Sequence, residues 1–179
     1  MRGGLALADA ARAPVRAPSP QQLAQKPHTR VHTIHPGQLA IAERGDRMET
    51  LLGSCVAVIM TDARRTIGSM CHIVHATNPV SRHQESCAFG PLALSAMEAL
   101  LLSRGLRPAL CQAYVYGGGN MFPKNYPGGG VGERNAQWVL DALAGRGVQV
   151  LLQDLGGQVY RRLAWIVGPD EPQVTSVLV

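Results

Sequence analysis

The chain has 179 residues, 46% of them hydrophobic, with a mean hydropathy of +0.01, values that suit one domain with a real core. No apolar run approaches the ~18 residues of a membrane span, and Asp9 breaks the short run Leu5 to Ala8, so neither an anchor nor a secretory signal is expected and the protein is placed in the cytoplasm. The net charge of +5 sits mostly in residues 1–30, which hold five basic groups and one acid; with only 4% aromatic residues, this argues against a nucleic-acid partner.

Residues 1–30, rich in Ala, Pro, Gln and Arg, bury little and are expected to be a disordered extension. A single folded domain is expected over 31–179. Short apolar runs at 38–42, 50–60, 66–75, 111–116, 147–153 and 158–167 read as strands. Residues 91–104 read as a helix, with Ala93, Leu94, Met97 and Leu101 at helical spacing and Gly105 as its stop. A second helix is expected over 132–144, with Glu133 in its first turn and Val139, Leu140 and Leu143 as its apolar stripe before Gly145. Strands before, between and after two helices imply an α/β or α+β domain, layered as mixed β-sheet with flanking helices.

The chemistry centres on Thr50-Leu51-Leu52-Gly53-Ser54-Cys55-Val56-Ala57-Val58 and on His72, seventeen residues after Cys55. A Gly-Ser turn feeding a β-branched run sets a thiol at the mouth of a strand. The run Ile67–Val74 reads as the next strand and can return His72 to the same end. A thiol attacks as thiolate, and a nearby imidazole can generate one. A buried structural cysteine is the competing reading of Cys55, and from these residues alone the two stand level.

Cysteines 55, 71, 87 and 111 lack CxxC spacing and are expected to be free thiols. A zinc site from Cys71, His72 and His75 is disfavoured, because adjacent strand residues point to opposite faces and no fourth ligand is spaced to help. His28, His32 and His35 read as solvated. The loops at Gly117-Gly118-Gly119 and Gly128-Gly129-Gly130 lack the Gly-Lys-Ser/Thr of a phosphate loop and are read as places of close backbone approach. Val131–Asn135 can equally be an ordinary helix start, and Asp154–Gly157 a plain turn.

Taken together, five stretches in order resemble the CheD family, the chemoreceptor glutamine deamidases of chemotaxis. They are Thr50–Val58 with its Gly-Ser-Cys, Gly68–His72, Tyr116–Met121, Val131–Asn135 and Asp154–Gly157. The resemblance spans about residues 31–168. It implies hydrolysis of receptor glutamine side chains to glutamate and ammonia, with no cofactor and no metal, on a fold like that of the deamidase toxins. It maps the catalytic cysteine onto Cys55 and the histidine onto His72. The family's threonine is met by Thr50, five residues before the cysteine; six before, where some relatives place theirs, stands Glu49. Ser54, Gly118, Gly119 and Asn120 are expected to form an oxyanion and substrate loop. Methyl-accepting chemoreceptors are the implied substrate and a CheC-type phosphatase the implied partner. A non-catalytic adaptor, or a cysteine amidohydrolase acting on another protein, remains the alternative.

Overall fold

The computed structural model describes residues 29–78, 86–125 and 130–179, so the expectation for residues 1–30 falls almost wholly outside it. Among the described residues, nine strands and two α-helices follow in chain order: β1 Val31–Thr33, β2 Leu39–Glu43, β3 Arg47–Leu52, β4 Val56–Thr61, β5 Ile67–Ile73, α1 Gly90–Ser103, β6 Gln112–Gly117, α2 Val131–Gly145, β7 Gln149–Leu155, β8 Val159–Ile166 and β9 Gln173–Leu178. They form two mixed sheets, an outer one ordered β1-β3-β8-β9 and a central one ordered β2-β5-β4-β6-β7.

Alternation along the strands explains the layers. In β4 every residue is buried, and the two faces go to different cores. Val56, Val58 and Met60 point to α1 and α2, where they meet Leu94, Met97, Leu101, Val139 and Leu143. Ala57 and Ile59 point the other way, onto Met48, Leu52, Leu163 and Trp165 of the outer sheet. A strand buried on both faces reads as a continuous apolar run, whereas β8, covered on one face, alternates. The molecule is therefore helices, central sheet and outer sheet in three layers, the layered mixed α+β arrangement the sequence implies.

Several boundaries differ from the sequence reading. The run 50–60 is not one strand: it breaks at Gly53-Ser54-Cys55, where the chain leaves the outer sheet and enters the central one. Strands β1 and β9 were not anticipated, being short or largely exposed. Helix α2 runs through Gly145, and the left-handed residue that ends it is Gly147, with φ of +69°. His32 is half-buried on β1, with Nε2 3.9 Å from the Asp46 carboxylate, so it is not simply solvated.

Candidate active site at the crossing between the sheets

The register of the central sheet brings the sequence-predicted residues together. Strands β4 and β5 are antiparallel with Ala57 opposite His72. Cys55 lies two residues before Ala57, so its side chain falls on the same face as that of Ala57 and diagonally across from His72. That face is the one turned to the outer sheet. Cys55 is half-buried there, packed on the inter-sheet core, and His72 is buried.

Thr50 comes from the outer sheet. In β3 the even-numbered residues Met48, Thr50 and Leu52 face inward. The Thr50 hydroxyl donates to the Ile34 carbonyl at 2.6 Å and lies 2.8 Å from His72 Nδ1. A hydroxyl has a single proton, and here the carbonyl takes it, so toward the ring the oxygen accepts. Nδ1 therefore carries the hydrogen, which leaves the Nε2 lone pair unprotonated. Nε2 is buried and has no hydrogen-bond partner among the described residues.

Burial sets the electrostatics of the pair. It pushes the His72 pKa down, with the His35 imidazole adding to the effect and the Ile34 carbonyl opposing it. It also pushes the Cys55 thiol up. Both shifts favour neutral thiol beside neutral imidazole over thiolate beside imidazolium. Cys71, one residue from His72, points to the helix face of the sheet, where burial drives its thiol up to about 12. Among the described residues no three His, Cys, Asp or Glu side chains come close enough to hold a metal ion.

The glycine loop after β6 lies directly against the Cys55 turn. Gly117 and Gly118 adopt φ of +115° and +65°. The Gly118 amide donates to the Cys55 carbonyl and the Gly119 amide to the Gly53 carbonyl, both at 2.8 Å. These two amides are thus committed to bracing the turn. Asn120 donates its amide to Gly157 and accepts from the Phe122 amide through Oδ1. By contrast, neither the Ser54 nor the Cys55 amide has an acceptor among the described residues. A small cavity of about 70 Å³ opens beside Ser54, between Gly119–Phe122 and Gly130–Gly132. A larger groove of about 540 Å³ lies over α2 and Gly156-Gly157 and contains neither Cys55 nor His72.

Two further residues tie this region down, and the sequence reading gave neither a task in the site. Arg161, buried on β8, bonds the Asp154 carboxylate at 2.7 Å and the Gly156 carbonyl at 2.8 Å, linking outer and central sheets beneath the glycine loop. Asn135, buried on α2, reaches the Ser54 turn. Their signal was present in the stretches Asp154–Gly157 and Val131–Asn135, but a turn and a helix start explained those equally well.

The layered α+β domain thus brings a half-buried cysteine and a threonine-held, buried histidine to one face of its central sheet. Its family follows from comparison. Residues 75–171 match the family model for CheD chemotactic sensory transduction. A relative from Albidiferax ferrireducens, named probable chemoreceptor glutamine deamidase CheD 2, is 33% identical over 138 residues, covering 75% of this chain and 80% of its own. Probable chemoreceptor glutamine deamidases CheD from Methanococcus vannielii and Pseudomonas savastanoi pv. phaseolicola are 35% and 34% identical, covering 68% and 73% of this chain and 79% and 75% of their own. The chain belongs to the CheD family. Thr50, Cys55 and His72 all precede the segment matched by the family model.

Proposed function

We propose that this protein deamidates glutamine side chains on methyl-accepting chemoreceptors, with Cys55 as nucleophile, His72 as general base and acid, and Thr50 as the group that fixes the imidazole. The observation that carries this reading is the inter-sheet hydrogen bond from His72 to Thr50, which leaves a buried Nε2 lone pair on the face that also carries Cys55. The names of the relatives supply the substrate.

The steps follow from the residues. His72 Nε2 takes the Cys55 proton as sulfur attacks the carboxamide carbon, so the resting neutral pair becomes charged only as the bond forms. The carbonyl oxygen becomes an oxyanion, which the Ser54 and Cys55 amides receive. The imidazolium returns its proton to the nitrogen, the C–N bond breaks and ammonia leaves, giving a γ-glutamyl thioester. His72 then deprotonates a water that attacks the thioester; the C–S bond breaks, the thiol is restored and the product is glutamate. Gly118 and Gly119 hold the turn and do not contact the oxyanion. Each event adds one negative charge to the receptor surface.

No helix among the described residues is long and apolar enough to cross a membrane. We place the enzyme in the cytoplasm, where receptor signalling helices lie. A CheC-type phosphatase is proposed as a partner on the family resemblance. Ammonia release from a receptor cytoplasmic fragment tests the activity: wild-type protein should release it and Cys55→Ala should not. Ammonia release by a folded Cys55→Ala protein would eliminate the thiol mechanism. Receptor binding by the wild type without ammonia release would point to an adaptor.

A further inference from the structure

Both donor hydrogens and the oxygen of the Asn135 carboxamide are engaged. The residue is 2% exposed, in the second turn of α2. Nδ2 donates to the Ser54 carbonyl at 3.2 Å and to the Val74 carbonyl at 2.9 Å, and Oδ1 accepts from the Ala76 amide at 2.9 Å. An asparagine side chain offers two donor hydrogens and one acceptor oxygen, and all of them are engaged here. The two segments it joins are unrelated in sequence. Ser54 precedes Cys55, while Val74 and Ala76 follow the strand that carries His72.

We propose that Asn135 is a positioning residue that fixes the Cys55 turn against the end of the His72 strand. The proposal rests on the reading of Cys55 and His72 given above. The Cys55 turn is a three-residue crossing between two sheets, outside any strand ladder, so its placement depends on such cross-links. The Gly118 and Gly119 amides hold the Cys55 and Gly53 carbonyls from the β6 side. Asn135 holds the carbonyl between them from the helix side, so three consecutive carbonyls are pinned by three different donors. Only Asn135 among these donors also holds the His72 strand. Aspartate would present oxygen to two carbonyls, and leucine would leave both carbonyls and the Ala76 amide unpaired.

The test is steady-state deamidation of a receptor cytoplasmic fragment by Asn135→Ala and Asn135→Ser, with wild type and Cys55→Ala alongside. Assays are run well below each variant's melting temperature, with the folded fraction measured by circular dichroism. Misplacing reacting groups by about an ångström costs on the order of 100-fold. Asn135→Ala should lose about that much in kcat with KM changed less than about twofold. Asn135→Ser keeps a polar donor in the site, though one bond short of the Nδ2 position, and should recover only a small part of the loss. A kcat deficit that matches the unfolded fraction, or vanishes on cooling, would overturn the proposal. So would wild-type kcat in either folded variant. If Asn135→Ala fails to fold, Asn135→Ser decides alone: a wild-type kcat per folded molecule sinks the inference. If Cys55→Ala stays active, the catalytic reading itself has failed; if it is dead while Asn135→Ala is fully active, only this inference has.

Discussion

Gly117 and Cys55 are in direct backbone contact. A Cβ on Gly117 would stand 2.2 Å from the Cys55 carbonyl oxygen, far inside any van der Waals distance, and the residue's φ of +115° disfavours a side chain as well. The obstructing atom is backbone, so it cannot rotate away. Gly117→Ala should therefore displace the Cys55 turn and cost about 2–6 kcal/mol, the sum of a strained φ and a steric clash. Urea denaturation reads this as a lower midpoint at unchanged slope. An unchanged midpoint would show that the turn yields freely.

Thr50 separates shape from hydrogen bonding. Thr50→Val keeps the volume but leaves the Ile34 carbonyl and His72 Nδ1–H without their partner in a buried site. We expect a stability loss of about 1–3 kcal/mol and a fall in kcat of at least about 100-fold, the lower range of what a general base contributes. Thr50→Ser keeps the hydroxyl and should stay within about tenfold of wild type. Equal loss in both variants would mean that the methyl group, not the hydroxyl, matters.

The pH dependence has a definite sign. Neutral imidazole is the base, and burial lowers the His72 pKa below its ordinary 6.5. Activity should persist below pH 6.5 and disappear as pH falls through the lowered value, seen as the acid limb of kcat/KM. The unfolded chain takes up this proton first, so stability should also decline as pH drops below 6.5. Because burial raises the Cys55 thiol above its ordinary 9.0, iodoacetamide should label Cys55 slowly at neutral pH and faster only in strong alkali. Rapid labelling at pH 7 would instead reveal a preformed thiolate–imidazolium pair.

Arg161 should not tolerate lysine. Its planar group meets the Asp154 carboxylate and the Gly156 carbonyl at once, which one ammonium on a flexible stem cannot reproduce. Arg161→Lys should cost about 1.5 kcal/mol, the low end for a hydrogen bond to a charged group, because the Asp154 carboxylate is partly exposed. The accompanying fall in activity should exceed that of Arg162→Lys, whose parent residue is exposed on the other face of β8. Thermal melts and ammonia release check the two effects.

The elements with a strong period were legible in the sequence. The stripe of Ala93, Leu94, Met97 and Leu101 gave α1, and the apolar runs gave the central strands, because burial dictates both patterns. What failed was local chemistry overridden by topology. Nothing between Thr50 and Met60 announces a change of sheet except Gly53-Ser54, and that pair alone does not distinguish a bend from a crossing. Strands β1 and β9 escaped notice because edge positions and exposure weaken the alternating signal. Cys55 and His72 could be brought to one strand end by reading; Thr50 as the hydroxyl that fixes the imidazole followed only from the family resemblance and the need for a third group, since their bond joins two sheets. Asn135 stayed hidden because its partners are backbone carbonyls and an amide 59 to 81 residues away, which carry no residue-type signature. Arg161 is only seven residues from Asp154, but its bond crosses from the outer sheet to the central one, which a local pattern does not reveal.

The most direct measurement is peptide mass spectrometry of a chemoreceptor cytoplasmic fragment after incubation with wild-type protein or with Cys55→Ala. The account predicts a gain of about one dalton at particular glutamines with the wild type, amide converted to acid, and none with the mutant. Glutamines left unmodified in every co-resident receptor that the wild-type protein binds would contradict it.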